Sequence, residues 1–333
     1  MGKHLLVCSG GGHLKQLFTL ADRIGLPAED QYWVTFETGL SRQLLAGRRV
    51  LFARYAAPRD TLNILRNAQL ARTVLRYGKY ETAVSTGSSI AVNFLPLAAR
   101  MGASAHYIES AARADGPSLT GRILALDPRV NTYCQYPAWS GGKWQFGGSI
   151  FDAFDAGATA SAASGLRPVR RAVVTVGTTE SYGFRRLFES LGPLLDGCEV
   201  LWQTGNTDLT GLGIPARPHV DHDEMLAAVA AADVVVAHAG TGAALTAIEL
   251  GKCPVLVPRL ACHREHIDDH QLQIAAELAR RNLAVVCAPE ELSREILASA
   301  AARSTARLDN PPAFRLAGFT PNSQTNYTKE WIS

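Results

Sequence analysis

"HAGTGAALTAIELGKCPVLVP" runs from His238 to Pro258 and follows the apolar run "ADVVVA". A strand-like run hands over to a helix-length stretch, and a second strand-like run closes the phrase. The chain passes from strand to helix through His-Ala-Gly-Thr-Gly. A helix start carries unpaired N–H groups and a partial positive charge. Glycine lets an anion come close to that backbone. The stretch therefore predicts one strand–turn–helix–strand unit of a parallel α/β sheet, with an anionic ligand at the turn.

Two further phrases have the same build. "HLLVCSGGGHLKQLFTLADRI" starts at His4 and "RAVVTVGTTESYGFRRLFESL" at Arg171. Strands are predicted over 31–36, 82–87 and 105–110 in the first half, and over 199–205, 233–240, 253–258 and 283–288 in the second. Alternation of strands with amphipathic helices predicts an α/β protein of two Rossmann-like domains facing across a cleft. The small, polar stretch "GATASAASGLRP" (157–168) reads as a linker. The predicted domains are 1–155 and 171–305, with a linker over 156–170. A tail over 306–333 is either loosely ordered or packed back on the first domain.

Composition agrees with a globular chain: 333 residues, 47% hydrophobic and 19% charged. The six cysteines, at 8, 134, 198, 253, 262 and 287, form no CxxC pair and suit reduced thiols. The opening "MGKHLLVCSGGGHL" predicts a first strand and not a signal peptide, so a cytoplasmic location is expected. Residues 1–150 hold 17 Lys/Arg against 9 Asp/Glu, and the remainder 16 against 21. The basic half predicts contact with anionic lipid or a phosphorylated substrate. A nucleic-acid partner is not expected. "GGGHLK" lacks the third glycine of GxGxxG, which argues against a nicotinamide or flavin cofactor, and no cofactor is expected.

Three strand ends thus carry anion-binding turns: Ser9–His13, Val176–Thr179 and His238–Gly242. Together they point to a phosphorylated ligand. "HAGTGAALTAIELGKCPVLVP" with "HIDDHQLQIAAELARRNLAVV" (266–286) resembles the nucleotide-sugar-binding half of the GT-B type glycosyltransferases. The likeness is to the lipid II-forming N-acetylglucosaminyltransferase and to the two-subunit enzyme that adds the second N-acetylglucosamine to dolichol-diphosphate-linked sugar. "VTVGTT" resembles the start of that enzyme's catalytic subunit. "CSGGGHL", "VSTGSSIAVNFLPLAARMG" and "YIESAARADGPSLTGRIL" resemble its membrane-recruiting subunit, and paired bacterial exopolysaccharide transferase subunits carry the same phrases. The chain looks like both halves fused, over about residues 4 to 300.

The resemblance implies a UDP-sugar on the second domain. His238 would contact the diphosphate, and Gly240, Thr241 and Gly242 would offer it backbone N–H groups. Gly177 and Thr178 would close over the same phosphates. Val220 and Met225 sit where the family holds uracil, and Asp269 and Gln271 where it reads the donor sugar. The family's ribose-binding glutamate is replaced by Thr246, and either Thr246 or Glu249, one turn on, takes its place. The cluster His263, His266, Asp269 and His270 has helical spacing, but it is read as part of the donor-sugar motif, and no metal site is expected.

For sugar transfer a base must take the acceptor's proton. His13 and Glu109 are the candidates: His13 as base oriented by Glu109, or Glu109 itself. By resemblance, Gly11, Gly12, Thr86, Gly87 and Ser88 would hold the acceptor's diphosphate. The segment 59–81 reads either as an amphipathic helix for anionic lipid or as an ordinary surface helix. The expectation is an inverting, metal-independent transferase, peripheral on the inner face of the cell membrane. It would move sugar from a UDP-sugar to a polyprenyl-diphosphate-linked acceptor. The alternatives are a UDP-sugar 2-epimerase of the same architecture and a non-catalytic recruiting or scaffold subunit.

Overall fold

The computed structural model describes residues 3–55, 61–157, 168–177 and 182–320. These fall into two compact units, one reaching to Asp152 and resuming at Pro312, the other Ala153–Pro311.

The first unit holds seven strands: β1 (His4–Cys8), β2 (Gln31–Phe36), β3 (Arg49–Ala53), β4 (Thr82–Gly87), β5 (Ser104–Ile108), β6 (Val130–Cys134) and β7 (Trp144–Phe146). All pair in parallel, in the order β3-β2-β1-β4-β5-β6-β7. "HLLVC" of β1 is buried along its whole length, as a central parallel strand with both faces covered requires. Leu5, Val7, Val34, Phe94 and Ala105 are in one core. The helix Thr61–Tyr77, predicted either for lipid or for an ordinary surface, buries Asn67, Ala71, Val74 and Leu75. Ala71, Val74 and Leu75 pack into that core. Over Ala71–Leu75 the apolar stripe is thus covered by protein, as in an ordinary surface helix.

The second unit holds β8 (Phe154–Ala156), β9 (Arg171–Thr175), β10 (Glu199–Gln203), β11 (Val234–His238), β12 (Val255–Val257), β13 (Val285–Val286) and β14 (Thr305–Arg307). Five pair in parallel as β10-β9-β11-β12-β13, and β14 pairs antiparallel with β8. Along β9, Ala172 and Val174 face one core while Val173 faces another. Helices therefore cover both faces of this sheet. The predicted linker 156–170 lies mostly outside the described residues.

Residues 312–320 return to the first unit. Arg23 Nε and Nη2 donate to Pro312 O at 2.9 and 2.7 Å. Phe314 N donates to Arg23 O at 3.0 Å, and Arg315 N to Gly147 O at 2.8 Å. The buried Phe314 ring stands edge-on to Tyr133.

Sheet order decides where ligands go. In each sheet the order reverses beside the first long strand, between β1 and β4 in one and between β9 and β11 in the other. Open parallel sheets bind ligands outside the carboxyl ends of their strands at such a switch point. The turns after β1, β4, β9 and β11 are the glycine turns singled out in the sequence.

Candidate functional site

In the second unit, the switch point joins the turn after β9 to the turn after β11. His238 ends β11, and its Nδ1 donates to the carbonyl oxygen of Thr175, the last residue of β9, at 3.4 Å. The ring is thereby oriented, and Nε2 is left with its lone pair. Two glycines make room for it. A Cβ on Gly177 would lie 3.0 Å from His238 Cε1, and a Cβ on Gly240 would collide with Nε2. Gly177 also has φ +72°, a conformation that side chains rarely adopt. Burial, then the charge of Arg259, pushes the His238 pKa down to about 3. The ring is neutral in the ligand-free protein.

Gly240 caps the helix Thr241–Glu249. The first intrahelical bond runs from Ala244 N to Gly240 O at 3.0 Å. The N–H groups of Thr241, Gly242 and Ala243 thus have no carbonyl within the helix. Thr246 Oγ1 donates to Gly242 O at 2.9 Å, so it offers a ribose lone pairs and no proton. Glu249 lies half-buried one turn on. Met225 is half-buried and packs against the core of Val173, Val235 and Ala247. Val220 is half-buried before the helix His222–Ala231. Thr178 lies outside the described residues.

Asp269 and Gln271 hold the loop after β12. Asp269 Oδ1 accepts from Ala261 N at 2.8 Å, and the buried Gln271 accepts from Arg259 N at 2.9 Å through Oε1. Asp269 Oδ2 and the Gln271 amide N–H groups remain for a sugar hydroxyl. His266 stacks on Tyr182, with centroids 5.7 Å apart, and stands edge-on to His270. His270 Nδ1 donates to Asp268. Among the described residues, His266, Asp268 and His270 bring three potential metal ligands within 4.8 Å of one another. Asp268 stands in this trio where the sequence suggested Asp269. Asp221-His222-Asp223 also has the spacing of an acidic metal pair, but among the described residues it does not converge with a third ligand in this way.

In the first unit, the switch point joins the turns after β1 and β4. Ser9 N donates to Gly87 O at 2.8 Å. His13, in the first turn of the helix Gly12–Ile24, donates from Nδ1 to Thr86 O at 2.6 Å. Thr86 Oγ1 donates back to His13 O at 2.8 Å. Gly87, φ +106°, again makes room: its Cβ would lie 3.0 Å from His13 Cε1. Gly11, φ +63°, caps the helix in a conformation suited to glycine. Gly12 and Ser88 are half-buried, whereas Thr86 is fully buried. The Thr86 carbonyl and hydroxyl proton are both engaged by His13.

Glu109 does not orient His13 as the sequence suggested. It is 1% exposed. Oε1 accepts from Tyr107 Oη at 3.2 Å and Ser110 N at 3.1 Å, and Oε2 from Ser118 N and Oγ at 2.9 and 3.0 Å. Burial raises its pKa against these four bonds. With these four bonds Glu109 anchors the 110–118 turn. Sequence reading also passed over Arg259, whose one local sign is a charge placed directly after the apolar strand "PVLVP".

The fold and paired switch-point turns define the two-domain GT-B class. Residues 171–317 match the glycosyltransferase family 28 C-terminal domain. MurG of Acinetobacter baumannii superposes with a TM-score of 0.56 at 17% identity, over 90% of this chain and 94% of that one. A putative UDP-N-acetylglucosamine 2-epimerase from Listeria monocytogenes superposes with a TM-score of 0.52 at 10% identity, over 94% and 92%. The UDP-N-acetylglucosamine transferase subunit ALG13 of Yarrowia lipolytica is 39% identical over 59 residues. That match covers 18% of this chain and 28% of the subunit. The GT-B resemblance read from the sequence is borne out by the fold and by the C-terminal domain match.

Proposed function

We propose that this chain is an inverting, metal-independent glycosyltransferase that uses a UDP-sugar and extends a polyprenyl-diphosphate-linked sugar for a cell-surface polysaccharide. The observation that carries the reading is the His238 turn. An oriented imidazole and the start of the helix Thr241–Glu249 together form an anion site, within the stretch that matches a glycosyltransferase domain. The second unit would hold the donor. Backbone N–H groups of Thr241 and Gly242, together with His238, would take the charge that develops on the leaving diphosphate.

His13 would act as base. Its Nδ1 proton is held by Thr86 O, so Nε2 is the nitrogen able to accept one. The acceptor hydroxyl oxygen bonds to the sugar's anomeric carbon and its proton passes to His13 Nε2. The bond from that carbon to the diphosphate oxygen breaks, and its electron pair leaves with UDP. Attack by the acceptor oxygen from the face opposite the leaving group inverts the anomeric centre.

Membrane contact would be peripheral. Among the described residues no helix is long and apolar enough to cross a membrane. The helix Leu119–Ala125 shows Leu119 at 74% and, just beyond it, Leu126 at 82% exposure, with Ile123 between them. Spacing of four and three residues places them on one helical face. The exposed Arg122 lies beside them, as does Arg129, which is paired with Asp127; apolar side chains beside a basic one suit anionic lipid.

The test is a thermal-shift scan of UDP-sugars, followed by transfer of the best binder's labelled sugar to lipid-linked acceptor in membranes, with and without chelator. Label in the lipid fraction that persists in EDTA supports the reading. Dependence on Mg²⁺ or Mn²⁺ would end the metal-free part of it. Epimerised nucleotide sugar without lipid label would favour the epimerase, whose fold is shared.

A further inference from the structure

Arg259 follows β12 and is 2% exposed. Its Nη2 donates to Val176 O at 2.8 Å, one residue before Gly177. Its guanidinium carbon lies 5.7 Å from the centre of the Phe184 ring. Its Nε is buried with no hydrogen-bond partner. A guanidinium carries five N–H donors, and a buried one is ordinarily matched by a carboxylate.

The acid that reaches Arg259 electrostatically is Glu265. Glu265 is already bound: Oε1 and Oε2 accept from Arg186 at 2.8 and 3.0 Å, and Oε2 also accepts from Leu260 N at 3.2 Å. Asp268, on the same loop, is taken by His270. His238 and His266 also feel Arg259, and both are held neutral in part by its charge. Burial lowers the Arg259 pKa to about 10, which leaves it protonated at neutral pH. Among the described residues, then, Arg259 is a buried cation without its own counter-charge, standing behind the Val176–Gly177 turn.

We propose that Arg259 is the fixed charge of the donor site: it holds the turn after β9 through Val176 O, and the nucleotide diphosphate is its counter-ion. This makes it a positioning residue, acting through the turn and through its field. The inference rests on the donor reading above. A positive charge at this place also opposes a cation at His266, Asp268 and His270.

The experiment is calorimetric titration of uridine, UMP and UDP into wild type, Arg259→Met and Arg259→Lys, with melting curves of each ligand-free protein. Arg259→Met should weaken UDP on the order of 10- to 100-fold and UMP less, as expected when one charge partner is removed from a buried pair. Uridine should change by less than about 3-fold, because it carries no phosphate. Arg259→Lys keeps the charge and should hold UDP within about 10-fold of wild type. Ligand-free Arg259→Met should melt no lower than wild type, because an unmatched buried charge has been replaced by an apolar side chain. Equal losses for uridine and UDP would overturn the inference, as would a methionine variant that melts lower or fails to fold, since the guanidinium would then be a structural prop. A lysine variant as weak as the methionine one would overturn it too. Wild type that binds no UDP sinks the donor reading itself. Wild type and Arg259→Met binding UDP alike sinks only the role of Arg259.

Discussion

His13 and Thr86 hold each other across 73 residues of sequence. The imidazole Nδ1 donates to Thr86 O at 2.6 Å while the Thr86 hydroxyl donates to His13 O at 2.8 Å. This pair ties the start of the first helix to the end of β4 and fixes the tautomer of the ring. If Nε2 is the base, His13→Ala should lower turnover by about 10²–10⁴-fold, the range for a positioned acid–base group. UDP affinity should stay near wild type, since His13 belongs to the other unit. Glu109→Gln should cost stability instead, roughly 1–3 kcal/mol for a disturbed buried network, with little loss of turnover in the folded fraction. Steady-state rates and urea unfolding of both variants check this. A larger turnover loss for Glu109→Gln than for His13→Ala would return the base role to Glu109.

Gly240 has φ −86°, a conformation open to any residue. Its lack of a side chain serves the His238 ring, which lies where its Cβ would be. Gly240→Ala should therefore displace His238 and abolish most UDP binding, at a stability cost of about 1–3 kcal/mol for overpacking. Gly177→Ala should cost more, because strain at φ +72° adds to the contact with the same ring. Titration with UDP and chemical unfolding measure the two effects. Wild-type UDP affinity in Gly240→Ala would show that His238 does not meet the diphosphate.

Protonation of His238 should accompany nucleotide binding. The free ring has a pKa of about 3 and is neutral near pH 7. With Nδ1 bound to Thr175 O, Nε2 can face a phosphate oxygen only as an N–H donor, which requires a proton. A bound diphosphate raises the pKa, so the complex holds more protons than the free protein. Affinity should then rise as pH falls, by up to about tenfold per unit, within the window below the pKa of the bound state and above that of the free ring. Calorimetry at pH 7.5 in buffers of different ionisation heat should reveal proton uptake. His238→Asn should remove that uptake and weaken UDP by roughly 1.5–3 kcal/mol. Binding with no proton uptake in wild type would rule out this role for the ring.

Leu119 and Leu126 are the exposed apolar side chains proposed to meet lipid. Leu119→Gln with Leu126→Gln should reduce co-sedimentation with anionic vesicles several-fold. Melting temperature and binding of UDP should not change, since neither side chain contributes to a core or to the donor turns. Added salt should weaken the wild-type interaction if Arg122 and Arg129 contribute. Unchanged sedimentation of the double variant, or equal binding to neutral vesicles at all salt levels, would place the membrane contact elsewhere.

The sequence by itself determined the strand–turn–helix phrases at Cys8–His13, Thr175–Gly177 and His238–Gly242. Each is local: an apolar run sets the strand, glycines set the turn, and a period near four sets the helix. Local signals do not report partners. Period alone made an apolar stripe on the helix Thr61–Tyr77 but left open what covers it; packing of Ala71, Val74 and Leu75 into the core decided that. Strand order is likewise a long-range matter, and it alone brought Thr86 to His13 and Thr175 to His238. Glu109 and Arg259 show the physical reason most directly. A charged side chain looks the same in sequence whether it meets water or protein. Only the tertiary structure surrounded Glu109 with four donors and left Arg259 buried beside Val176 with, among the described residues, no carboxylate of its own.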